Sequence, residues 1–292
     1  MGSASWDASV YKSYTESAFR SASVLENFQS RSKDHRFDPK KIAIRESRDS
    51  DVNPCSTAII LGLDVTGSMG MIAQNIAQKG LGTFVEGILD RNIVSNPHVM
   101  IMAIGDVIFD EAPLQVTQFE ADIRIAEQLK DLFIEGHGGG NDSESYHLPW
   151  YFASLKTSTD CFEKRGKKGY LFTIGDELVP PTLTKTHIGS VLDSSGEKDY
   201  TADELFAMAS ETYEVFHVIV EQGNYAKRCL PQVKANWREL MGHRAILLND
   251  YTHVADVLLA TIEVSEGADP QTVIDSFQDK TLKETIRHAL LD

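Results

Sequence analysis

Residues 57–63 (Thr-Ala-Ile-Ile-Leu-Gly-Leu) carry no charge, and the run then stops at a carboxylate, Asp64. Such a segment has no polar face to show to water. It fits a strand covered on both sides, which is the setting of a parallel sheet. The stretch that follows, 71–89, places Ile72, Ile76, Phe84, Val85, Ile88 and Leu89 on one side of a helix. Further strands are predicted over 99–104, 169–174, 215–220 and 244–248, with 114–119 as a short antiparallel edge strand. Helices are predicted over 119–134 and 145–162. Thr201-Ala-Asp-Glu204 is a capping box that opens another helix. Asp269-Pro270 supplies an N-cap and first residue for a terminal helix, whose face is Val273, Ile274, Phe277, Leu282, Ile286, Ala289 and Leu290. Residues 178–200, with Pro180-Pro181 and a Ser-Ser-Gly turn, are predicted to form a long loop. Strands alternating with helices specify an α/β fold: Rossmann-like, doubly wound, with a mostly parallel sheet and helices on both faces.

Within the sequence, 1–54 stand apart as a polar, basic arm, 55–265 form the α/β domain, and 266–292 form a C-terminal helix packed on the domain or on a partner. The arm holds Arg31, Lys33, Arg36, Lys40, Lys41, Arg45 and Arg48, with aromatic and aliphatic residues such as Trp6, Tyr14, Phe19 and Phe28 interspersed. Three readings stay open for it: packing on the body or a neighbouring copy, a disordered interaction tail, or a nucleic-acid arm. Self-association through this arm is one structural role for the protein. The chain has 43 Asp and Glu against 28 Lys and Arg, a net charge of −15. That balance argues against nucleic-acid binding by the body, which needs clustered cations.

The three cysteines, Cys55, Cys161 and Cys229, are far apart and form no CxxC pair. They imply neither a disulfide framework nor a zinc site, and they fit a reducing cytosol. No apolar h-region follows Met1, no stretch approaches the ~20 apolar residues of a membrane span, and Trp6 occupies the position where a myristoylation motif needs Ser or Thr. The expectation is a soluble cytoplasmic protein without a membrane partner.

Asp64-Val-Thr66-Gly-Ser68 sets three side-chain oxygens on one turn, just past the end of the first long strand. Open α/β sheets bind ligands at that place, and hard divalent cations such as Mg2+ take oxygen ligands in octahedral array. Helix N-capping by Asp64 and plain turn capping by Thr66 and Ser68 are the structural alternatives. On a later strand end, Asp176 follows Phe172-Thr-Ile-Gly and emerges at the same edge, beside Glu177. Asp106 and Asp110 leave the second strand on the same side and are candidates, with Glu177, for an acidic rim that meets a partner. The histidines show no HxxxH-like spacing.

Asp64-Val-Thr66-Gly-Ser68 resembles the first loop of the metal-ion-dependent adhesion site of the von Willebrand factor A-type (vWA) family, in the form seen in bacterial and phage members. Gly138-Gly-Gly-Asn141-Asp142-Ser-Glu144-Ser145 resembles the family's second loop, and Leu171-Phe-Thr-Ile-Gly-Asp176 its fourth strand and terminal Asp. The resemblance spans roughly 55–265. It implies a Mg2+ ion, with Mn2+ or Ca2+ as alternatives, held by Asp64, Thr66 and Ser68, with Asp176 reaching it through water. It also implies a protein partner whose Asp or Glu completes the metal shell. Adhesion-type members place a Thr ligand on the second loop; here Asn141 or Asp142 takes that place, and spacing does not choose between them. An enzyme is not expected, because position 66 is Thr where Asp-x-Asp phosphatase chemistry needs Asp. Walker A, Gly-x-Ser-x-Gly and dinucleotide fingerprints are also missing.

Overall fold

The computed structural model describes residue 6 and residues 34–134, 141–192 and 198–292. The spaced aromatics of 10–28, the glycines 138–140, His137 and the Ser-Ser-Gly turn lie outside the described residues. In chain order the strands are β1 (Arg45–Ser47), β2 (Thr57–Asp64), β3 (Pro97–Ile104), β4 (Leu114–Val116), β5 (Thr157–Thr159), β6 (Gly169–Gly175), β7 (Thr182–Leu183), β8 (Tyr200–Thr201), β9 (Tyr213–Val220) and β10 (Ala245–Leu248). The main sheet runs β10-β9-β6-β2-β3-β4. All its pairings are parallel except that of the edge strand β4 with β3.

Every residue of β2 is buried, because side chains alternate into two separate apolar layers. Ile59, Leu61 and Leu63 join Phe84, Ile88, Leu258 and Ile286 in one layer. Ala58 and Ile60 join Trp150, Leu205 and Trp237 in the other. Helices therefore cover both faces, and the fold is α/β with a mostly parallel central sheet. After β2 the chain passes to β3 on one side, while β6 lies against β2 on the other. The strand order reverses between β2 and β6, which places a topological switch point at their carboxyl ends.

Several elements differ from the sequence expectation. Residues 71–89 form helix Met71–Asn75, a π-helical turn Ile76–Gly80 and helix Leu81–Asp90. The helix predicted over 119–134 shortens to Arg124–Lys130. The one predicted over 145–162 breaks into His147–Lys156, the extended β5 and Asp160–Arg165. Three successive hydroxyl residues, two of them β-branched, favour extended backbone there, and β1 supplies the partner strand. The predicted loop 178–200 contains β7, helix Lys185–Leu192 and β8, with Ile188, Val191 and Leu192 buried. The terminal helix is two, Pro270–Ser276 and Lys280–Leu291, since Asp279 caps a fresh start by accepting from the Leu282 N–H.

Residues 34–54 are built into the body. β1 pairs with β5, the Phe37 carbonyl accepts from the Val116 N–H at 2.9 Å, and Arg48 pairs with Asp160 and Glu163. The domain edge drawn at residue 54 runs through this hydrogen-bonded unit. Farther toward the N-terminus, the Trp6 indole N–H donates to the Pro97 carbonyl.

Candidate metal centre

The loop after β2 is shaped by its own side chains. Asp64 is fully buried, and its Oδ1 accepts from the Thr66 N–H at 2.9 Å and the Thr66 hydroxyl at 2.6 Å. Thr66 Oγ1 lies 3.2 Å from Ser68 Oγ, and Ser68 in turn donates to Asp176 Oδ1 at 2.7 Å. The other oxygen of Asp176 accepts from the main-chain N–H groups of Tyr225 (2.8 Å) and Ala226 (3.4 Å). Those amides begin the helix Ala226–Met241, whose positive end suits a carboxylate. Gly223 allows this close approach, since a Cβ there would sit 2.3 Å from the Asp176 side chain. The Ser68 carbonyl accepts from Asn224 N–H at 3.0 Å, which ties the two loops together. Asp64, Thr66, Ser68 and Asp176 therefore converge.

A residue that sequence reasoning missed completes this arrangement. The Tyr146 hydroxyl donates to Asp64 Oδ2 at 2.6 Å and accepts from the Glu177 N–H at 3.3 Å. It is wedged against β6, where a Cβ on Gly175 would lie 2.1 Å from the hydroxyl. Its ring packs edge-on against His217 and Trp237. No local pattern marks this tyrosine, because its partner lies 82 positions away.

The second loop joins the site differently from expectation. Asn141 donates to Asp106 Oδ2 at 2.6 Å and to the Ser143 carbonyl at 3.1 Å, while its own Oδ1 is buried without a partner. Asp142 is exposed, and its carbonyl accepts from the Leu178 N–H. Asp106 is only 1% exposed and Glu177 only 7%, so neither stands on an open rim. Instead, Asp106 accepts from the Ile108 N–H within its own loop, and Asp110 accepts from the Asp106 N–H. Asp110 is half-buried. A further carboxyl, Glu144, is 1% exposed and its Oε2 has no partner; Glu177 Oε2 is likewise orphaned. The only sequence signal for Glu144 was its place in the Gly-rich second-loop motif.

These acids perturb one another. Burial, then the charge of Asp176, raises Asp64 to about 7. Burial also raises Asp176, against the pull of Ser68 and the helix amides. Glu177 rises to about 8 through burial and then the Asp64 and Asp176 charges. Glu144 rises to about 11 through burial and the neighbouring Asp64 and Glu177. Burial is the largest cause of each of the four shifts.

The donor set fits a hard cation. Asp64 Oδ1, Thr66 Oγ1, Ser68 Oγ and Asp176 Oδ1 follow one another at 2.6, 3.2 and 2.7 Å. Adjacent ligands in an octahedral Mg2+ shell stand about 3 Å apart. All are oxygens, and orphaned carboxylate oxygens lie on the adjoining residues Glu144 and Glu177. Among the described residues no group of three or more His, Cys, Asp or Glu is placed to hold a metal ion.

No protein-family model matches the sequence, and no curated protein matches it. Among solved structures, the chain is similar to the pilus adhesin SpaC from Lactobacillus rhamnosus GG, at 11% identity and a TM-score of 0.45 over 80% of this chain and 32% of the adhesin. It is similar to a von Willebrand factor type A protein from Catenulispora acidiphila at 11% identity and a TM-score of 0.38, covering 73% of this chain and 43% of that one. It is also similar to proximal thread matrix protein 1 from the mussel byssus, at 11% identity and a TM-score of 0.43, covering 72% of this chain and 47% of that one. The chain thus spans less than half the length of each of these three.

Proposed function

We propose that this chain is a divalent-cation-dependent protein-binding module of vWA type, with Mg2+ held by Asp64, Thr66 and Ser68 and steadied by Asp176. The observation that carries the reading is the unbroken run of four side-chain oxygens from Asp64 through Thr66 and Ser68 to Asp176. Asp64 supplies formal charge, while Thr66 and Ser68 offer neutral lone pairs and donate their protons to the two carboxylates. Asp176, fixed by the amides of Tyr225 and Ala226, orients Ser68. A bound ion supplies a Lewis-acidic position that an Asp or Glu side chain of a partner protein completes. On the second loop Asn141 is engaged by Asp106. That leaves the buried Asn141 Oδ1 without a partner and Asp142 exposed, so either residue offers an oxygen from the second loop to the ion. The role is binding rather than turnover, and the free thiols of Cys55, Cys161 and Cys229 suit a reducing, cytoplasmic setting.

Calorimetric titration with Mg2+ tests this reading. One-site binding is expected in the wild type and is expected to vanish in Asp64→Ala and Ser68→Ala. Capture of a partner with and without EDTA then reads the adhesive role. Equal Mg2+ binding by wild type and Asp64→Ala would remove the proposal.

A further inference from the structure

We propose that a cleft at the open edge of the main sheet binds a small organic anion, its carboxylate or phosphate head held by Arg45. The cleft forms where residues 36–45 cross the edge strand β4 and face the helix Arg124–Lys130. It encloses about 500 Å3, and its lining includes Arg36, Arg45 and Arg124, with Glu127 and Asp131 also present. That volume is typical of a metabolite site.

Arg45 is the reason to expect an anion. It is 7% exposed, yet among the described residues its side chain bonds only from Nη2, to the main-chain carbonyls of Arg36 (2.9 Å) and Val116 (3.0 Å). Its Nε is buried without a partner, and no carboxylate among the described residues forms an ion pair with it. A guanidinium taken out of water in this way is costly unless a counter-ion reaches it. Burial pushes Arg45 down to about 10, and the more distant charge of Glu120 only partly restores it. Glu120 is itself committed, to Gln128 at 2.8 Å and Arg124 at 3.1 Å.

The other two guanidiniums are placed to clamp a ligand from outside. The Arg36 and Arg124 side chains are 54% and 45% exposed; Arg36 is paired with Asp34 and Asp131 and Arg124 with Asp122 and Glu120, and the exposed Asp131 is the partner most readily exchanged. A planar fork recognises carboxylate and phosphate in the same bidentate manner. The nearby Glu127 and Asp131 and the net charge of −15 disfavour a polyanion. A single-headed small molecule fits better.

The test is calorimetry on the full chain at constant ionic strength with inorganic phosphate, phenyl phosphate and benzoate. Saturable one-to-one binding is expected for phenyl phosphate or benzoate, at least tenfold tighter than for inorganic phosphate; the stronger of the two identifies the head group. Arg45→Met and Arg124→Gln are each expected to weaken it at least tenfold, while Asp64→Ala leaves it unchanged, which separates this site from the metal centre. If Arg45→Met does not fold, Arg124→Gln and the Arg36→Gln/Arg124→Gln pair decide alone. Absence of saturable binding by all three anions, or undiminished binding in the arginine variants, overturns the proposal.

Discussion

Single atoms set the geometry of the candidate metal centre. The Tyr146 hydroxyl occupies Asp64 Oδ2 and so leaves Oδ1 turned toward Thr66. Tyr146→Phe leaves that buried oxygen without its donor, and a loss of about 1–3 kcal/mol is expected in urea unfolding, together with weaker Mg2+ binding. Gly223→Ala acts from the other side, since its Cβ would meet the Asp176 side chain at 2.3 Å. About 1–3 kcal/mol of destabilisation is expected for such overpacking. Displacement of Asp176 should be read in the same variant as a loss of Mg2+ affinity. Asp64, Thr66 and Ser68 were legible in the sequence because they lie within one turn after an apolar strand. Tyr146 and Glu144 were not, because what gives them meaning is an acid brought near by tertiary contact.

At the scale of elements, local chemistry decided where the sequence was most reliable. The capping box at Thr201 is formed on both sides: Glu204 N–H donates to Thr201 Oγ1 and Thr201 N–H to the Glu204 carboxylate. Thr201→Ala should cost about 1 kcal/mol, read as a lowered urea midpoint. Elements that the pattern did not reveal have physical reasons for hiding. Helix Val254–Ser265 is apolar nearly all round and so shows no stripe. Helix Ala226–Met241 contains Pro231 and a kink at Cys229, features that argue against a helix at that place. β5 is extended where helix periodicity continued from 145, because β1, more than a hundred residues earlier, offers it backbone partners.

For the whole molecule, the buried acids at the carboxyl edge couple stability to pH and to cations. Asp64, Asp176, Glu144 and Glu177 all bind protons more tightly in the folded chain than their ordinary values. Their stabilising protonation is fully present below about pH 4; that of Asp64 and Glu177 is lost as pH rises through about 7 to 8, and that of Glu144 only on approach to about 11. Without divalent cations the unfolding free energy should therefore fall between about pH 4 and 8. Mg2+ at a hundredfold excess over its Kd should restore about 2.7 kcal/mol at the upper end, and more there than at pH 5. Urea midpoints at pH 5 and 8 with and without Mg2+ check this; rising stability without metal across that window would contradict it. The sequence by itself determined the alternation of buried strands and helices and the Asp-x-Thr-x-Ser turn, since apolar period and short-range oxygen spacing are local properties. Only the tertiary structure decided that Asp106 and Glu177 are buried rather than exposed, that Tyr146 braces Asp64, and that Arg45 lies beneath a cleft. Burial and a missing counter-charge depend on what distant segments place nearby, and neighbours in sequence do not carry that information.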